Sequence, residues 1–145
     1  MSHPRLTAQE AAALMREQGH AYLDVRTEQE FAAEHAEGAF NVPYKLAGPG
    51  GGTIVNPDFV AVVRAAFEPD ARLVVGCGSG PRSQAAAAAL IAAGFTQVVE
   101  QRAGHRGSKD AFGRVLDVGW AASGLPCSST PLAGRDYASL RQRVR

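Results

Sequence analysis

The sequence predicts an α/β domain with a parallel or mostly parallel sheet covered by helices on both faces. Three observations point there. Short apolar runs alternate with segments carrying helix-start signals, the pattern of strands joined by crossover helices. The chain has 145 residues, 46% hydrophobic and 20% charged, enough for one ordinary globular core. Finally, the apolar run Leu73-Val74-Val75-Gly76 leads into Cys77-Gly78-Ser79-Gly80-Pro81-Arg82-Ser83 and then an alanine-rich run. That order reads as a buried strand, a tight turn and a helix start.

The elements follow in order. Thr7-Ala8-Gln9-Glu10 is a capping box that opens a helix to about Gln18, with Gly19 as terminator. Ala21 to Val25 is a buried strand, and Thr27-Glu28-Gln29-Glu30 is a second capping box for a helix through about Ala33. Ala39 to Val42 is a short strand stopped by Pro43, and Gly48 to Gly52 a flexible turn. Asn56-Pro57 predicts a helix start with Asn56 as N-cap, running to about Phe67. Arg72 to Gly76 is the strand that delivers Cys77. The next helix is expected from Ser83, as N-cap, to Ala93, closed by Gly94; Gln97 to Glu100 is a further strand. Gln101 to Gly113 shows no period and reads as loop, with short helices at Val118 to Ser123 and Asp136 to Arg143.

Composition excludes several classes. A net charge of +1 gives no ground for nucleic-acid binding. No apolar stretch reaches a membrane span, and the N-terminal residues lack a signal-peptide core, so the expected location is the cytoplasm. Two cysteines, Cys77 and Cys127, cannot make a disulfide framework. His3, His20, His35 and His105 show no metal-ligand spacing, so no metal is assigned and no cofactor is expected.

Cys77 is the candidate nucleophile. Consecutive N–H groups of a glycine-rich turn and a helix N-terminus form an anion cradle, which favours the reactive thiolate. Gly78 and Gly80 allow the tight curl, whereas Pro81 removes one donor. A cation at a helix N-terminus opposes the macrodipole, so Arg82 is expected to have a specific partner. The basic stretch around Arg106 and Lys109 is a candidate for steering anionic substrates.

The heptapeptide Cys77 to Ser83 resembles the active-site loop of single-domain rhodaneses, which are sulfurtransferases. Leu23-Asp24-Val25-Arg26, Glu30-Phe31, His35, Gly38-Ala39 and Asn41-Val42-Pro43 resemble that family's N-terminal signature. Gly119-Trp120 and Gly124-Leu125-Pro126 resemble its C-terminal motif. The resemblance covers about residues 6–127 of a single domain over 1–145, with 128–145 as a C-terminal extension. It implies a central, mostly parallel five-stranded sheet with helices on both faces. It also implies transfer of a sulfane sulfur from an anionic donor such as thiosulfate to cyanide or a thiol, through a Cys77 persulfide. Gly78, Ser79, Gly80, Arg82 and Ser83 would form the anion-binding loop. Asp24, Arg26 and Glu30 are expected to be structural, with Arg26 contacting Glu30. His35 is expected to satisfy a backbone group and Trp120 to anchor the core.

Two alternatives stand beside this reading. A rhodanese module can relay persulfide sulfur to a protein acceptor. A phosphatase or arsenate reductase of the related fold also uses a cysteine loop ended by arginine, but with one more intervening residue. Here four residues, Gly78 to Pro81, separate Cys77 from Arg82, a smaller cradle that suits sulfur better than phosphate.

Overall fold

The computed structural model describes residues 3–78 and 81–144. Its strands and helices, in chain order, are β1 (Arg5–Leu6), α1 (Ala8–Gln18), β2 (Ala21–Asp24), α2 (Glu28–Ala33), β3 (His35–Ala36) and β4 (Phe40–Asn41). Then come β5 (Lys45–Ala47), β6 (Thr53–Val55), α3 (Phe59–Ala66), β7 (Arg72–Gly76), α4 (Pro81–Ala92) and β8 (Gln97–Gln101). The chain closes with β9 (Gly107–Lys109), β10 (Val115–Val118), β11 (Cys127–Ser128) and α5 (Tyr137–Arg141).

Five strands form one sheet in the order β1-β8-β7-β2-β4. Each neighbouring pair is parallel. The α/β architecture inferred from the sequence is therefore present. Strand alternation divides the core between two faces. Leu23, Leu73, Val75 and Val98 pack with Phe59, Val62, Leu90, Tyr137 and Leu140, covering one face with α3, α4 and α5. Tyr22 and Val74 face the other way, against α1, Phe31 of α2 and Trp120. Cys77 continues the Leu73, Val75 alternation, so it lies on the α4 side of the sheet.

Local signals placed the first helices well. Thr7 and Thr27 each close a reciprocal capping box, with Glu10 and Glu30. Gly19 ends α1 at φ 70°, a left-handed conformation that glycine adopts without penalty.

Elsewhere the structure departs from the reading. Asn56 is not a helix N-cap. Its side-chain oxygen accepts from the Asp58 N–H, and its amide donates to the Pro43 carbonyl and Tyr137 hydroxyl. The helix consequently starts at Phe59. Ser83 is not an N-cap either, because α4 begins at Pro81, where proline's missing N–H costs no helical bond. The glycine-rich stretch at 48–52 is the tip of a hairpin that pairs β5 with β6. Gln101 to Gly113 is not simply loop, since β9 pairs antiparallel with β10. That hairpin has no buried face, so it leaves no hydrophobic period in the sequence. β10 also takes up Val118, leaving only a short 3-10 turn at Ala121–Ser123. The two-residue strands β1, β3 and β11 were not anticipated.

Candidate active site

β7 runs up the middle of the sheet, and Cys77 follows its last residue. The side chain is 1% exposed. Among the described residues neither Cys77 nor Cys127 is in a disulfide. Ser79 and Gly80, assigned to the loop from the sequence, lie outside the described residues.

Behind the thiol sits a buried polar chain. The Cys77 thiol donates to Ser83 Oγ at 3.5 Å, and the Ser83 hydroxyl donates to Glu100 Oε2 at 2.7 Å. Glu100 is fully buried, yet it lies on β8 beside β7 and is held by two further donors. His3 Nε2 reaches Oε1 at 3.0 Å and Arg5 Nε reaches it at 2.9 Å. A buried carboxylate needs such partners. The N-terminal β1 supplies one of them, which gives that two-residue strand a role at the site.

Beside Gly78, Arg82 forms a two-pronged ion pair with Glu30, 2.7 and 3.1 Å. The Arg82 guanidinium holds the Glu30 carboxyl down at about 2, against its ordinary 4.5. Glu30 in turn favours the charged form of Arg82. The expected contact between Arg26 and Glu30 is not the one formed. Arg26 turns back onto Asp24, with Nη2 to Oδ2 at 2.8 Å, and its Nη2 also donates to the Glu34 carbonyl at 2.6 Å. Both members of that pair are buried, and Asp24 also accepts from the Arg26 N–H.

The segment after β8 presses directly on the Cys77 turn. His105 N–H donates to the Cys77 carbonyl at 2.7 Å, and Arg106 N–H to the Gly78 carbonyl at 2.9 Å. Gly104 makes the approach feasible. It sits at φ +71°, and a Cβ there would collide with the carbonyl oxygens of Cys77 and Gly78. The exposed Arg106 side chain lines a cleft of about 190 Å³ with Arg26, Glu30, Ala33, Glu34 and His105. Lys109 is exposed on β9, further out on the hairpin. Of the two cations expected to steer substrate, only Arg106 is brought to this cleft.

Trp120 anchors the core as anticipated: it is 2% exposed, donates to the Pro126 carbonyl and meets Tyr22 edge-on. His35 satisfies the Phe31 carbonyl at 2.7 Å. Sequence spacing missed one group. Glu34, His105 and Cys127 each bring a metal-ligating atom to within 4.8 Å of the others. Burial pushes the Cys127 thiol up, and the Glu34 carboxylate adds to that by repelling its anion.

Comparison with known proteins agrees with this architecture. The profile of the Rhodanese-like domain family matches residues 7–107, and the chain belongs to that family. It is 44% identical over 108 residues to thiosulfate sulfurtransferase 16, chloroplastic, of Arabidopsis thaliana, covering 74% of this chain and 79% of the relative. It is 35% identical over 98 residues to thiosulfate sulfurtransferase GlpE of Pseudomonas fluorescens, covering 68% and 78%. Another similar protein, HIGH ARSENIC CONTENT 1, mitochondrial, of Arabidopsis thaliana, is 39% identical over 93 residues; the chain spans about half of it, 54%. The crystal structure of Rv0390 from Mycobacterium tuberculosis superposes with a TM-score of 0.71 at 27% identity, covering 89% of this chain and 100% of that one.

Proposed function

We propose that the chain is a sulfurtransferase with Cys77 as nucleophile. The observation that carries this reading is the placement of Cys77. It stands between the end of the central strand β7 and the start of α4, with Ser83 and Glu100 behind it and the Arg82–Glu30 pair beside Gly78, the next residue. Relatives named thiosulfate sulfurtransferase support the reaction class.

The mechanism has two halves. The Cys77 thiolate attacks the outer sulfur of thiosulfate, the S–S bond breaks, and sulfite leaves with the bonding pair. Cyanide or a thiolate then attacks the terminal sulfur of the Cys77 persulfide. That returns the Cys77 thiolate and releases thiocyanate or a new persulfide. Ser83 provides a route for the thiol proton: it accepts from Cys77 while donating to Glu100. Glu100, at the end of this chain of hydrogen bonds, is the candidate general base. Gly78, Ser79 and Gly80 contribute loop N–H groups to the anion, and Arg82 holds the loop's far end. Arg106 draws the anionic donor into the cleft, so the thiosulfate KM should rise with salt.

Mass spectrometry after exposure to thiosulfate tests the scheme. The Cys77 peptide should gain one sulfur, and Cys77→Ser should abolish both the adduct and turnover while the protein stays folded. Sulfur transfer retained in that variant would refute it.

Relay of the sulfur to a protein acceptor is a second reading, favoured by the β9–β10 hairpin. There Phe112 is 85% exposed and Leu116 64%, six and ten positions after Arg106 in the chain. A persulfide that forms readily but turns over negligibly with cyanide or small thiols would select it. Arsenate reduction is disfavoured by the four-residue loop spacing and is checked on the same preparation with arsenate and a thiol. Among the described residues no helix is long and apolar enough to cross a membrane. The cytoplasm remains our proposed location, although the similar Arabidopsis proteins carry chloroplastic and mitochondrial names. Fractionation of the source cells would decide it, with recovery in an organelle or envelope fraction as the contrary outcome.

A further inference from the structure

We propose that Glu34, His105 and Cys127 form a binding site for a thiophilic divalent cation of the zinc type, beside the cleft that Glu34 and His105 line with Arg26, Glu30 and Arg106. The three side chains offer one oxygen, one nitrogen and one sulfur, the donor set that a borderline-soft cation takes. Their ligand atoms lie within 4.8 Å of one another. A tetrahedral zinc ion with ordinary bond lengths needs donors roughly 3.2–3.8 Å apart. Small side-chain rotations therefore close the site.

The backbone of each ligand is already fixed. Glu34 ends α2, donating its N–H to the Glu30 carbonyl, while its own carbonyl accepts from Arg26. His105 is pinned through its N–H to Cys77 and through its carbonyl to Ala121. Cys127 lies in β11, directly opposite Ala36 of β3, two residues beyond Glu34. Ligands carried on paired strands and capped ends are better held than ligands on a free loop. His105 Nε2 and Glu34 Oε1 already stand 2.8 Å apart, sharing a proton where a cation could bridge them. Arg26, whose charge reaches Cys127, is paired with Asp24.

On binding, the Cys127 proton leaves to solvent and the sulfur binds as thiolate. The His105 nitrogen that binds must be unprotonated, so the ring keeps its proton on the other nitrogen. Three protein ligands leave a fourth position for water or an exogenous anion, as in open zinc sites. Glu34 and His105 line the same cleft as Arg106, the cation assigned to anionic substrates.

The test uses the full chain, reduced and metal-free, titrated with Zn²⁺ in equilibrium dialysis and with Co²⁺ by absorption. It reads metal binding, so it is independent of whether Cys77 transfers sulfur. One ion per chain is expected, with a thiolate-to-cobalt charge-transfer band. Cys77→Ser should keep both. Cys127→Ser should lose the band, and it and Glu34→Gln should each weaken Zn²⁺ binding by about tenfold or more. Circular dichroism of both variants confirms that they are folded. The proposal is overturned if the wild type binds no metal, or if binding follows Cys77 and ignores Cys127.

Discussion

Replacing Glu30 by glutamine isolates the ion pair that holds Arg82. Gln still serves as the third helical residue of a capping box, so the start of α2 is kept. What is lost is the charge facing Arg82. In the folded protein the Glu30 carboxyl lies at about 2 rather than 4.5, chiefly because it accepts from Arg82. A displacement of that size is worth at most ~3.4 kcal/mol. The pair is partly open to water, with side chains 26% and 22% exposed, and solvent screening leaves roughly 1–2 kcal/mol. In a chain of this length that lowers Tm by roughly 3–6 °C at pH 7. The sign of the pH dependence follows from the direction of the displacement. A depressed carboxyl stabilises the fold fully above about 4.5 and loses that contribution as pH falls toward about 2. Urea unfolding of both proteins at pH 7, 5 and 3 should therefore show a gap that narrows at the acid end. Release of Arg82 should also slow sulfur transfer by between about 10- and 100-fold, the usual consequence of a misplaced reacting group. A gap of equal size at pH 7 and pH 3 would refute the assignment of the pair as the cause.

Two further substitutions probe the surroundings of Cys77. Ser83→Ala removes a donor to the buried Glu100 and should cost about 1–3 kcal/mol. If Ser83 relays the thiol proton, the variant should also shift the pH profile of iodoacetamide alkylation of Cys77; an unmoved profile would leave Ser83 with a structural role only. Gly104→Ala forces a side chain into a left-handed conformation and against the Cys77 and Gly78 carbonyls, so a loss of roughly 2–4 kcal/mol is expected. A wild-type Tm in that variant would show that the segment after β8 does not bear on the turn.

What the chain reveals before folding is what local chemistry determines. Both capping boxes, the Gly19 stop and the β7–Cys77–α4 unit depend on residues a few positions apart, and all three are in the structure. β1 depends instead on Glu100 and Gln101, almost a hundred positions away, and its two residues carry no period of their own. The β9–β10 hairpin was hidden for another reason. Its order comes from Asp110, whose side chain accepts from the N–H groups of Phe112 and Arg114, not from burial. Glu100 reads in sequence as an ordinary polar strand end, and only the strand order sets it behind Cys77. The same holds for Glu34, His105 and Cys127, which come from three separate stretches and show no ligand spacing.

The exchange of partners among Asp24, Arg26, Glu30 and Arg82 connects this to function. A cation in the first turn of α4 opposes the helix dipole, which the sequence alone makes plain. It cannot show which of several acids compensates. Arg26 and Glu30 are four residues apart and look like natural partners. Were they paired, Glu30 would have less charge to offer, and Arg82 would face the α4 N-terminus without a strong counter-ion. The structure avoids this by folding Arg26 back onto Asp24, two residues away, in a pair too buried to be shared. Glu30 is thereby left to Arg82. The buried Asp24–Arg26 pair thus acts on the Cys77 loop at one remove, by leaving Glu30 available as its clasp.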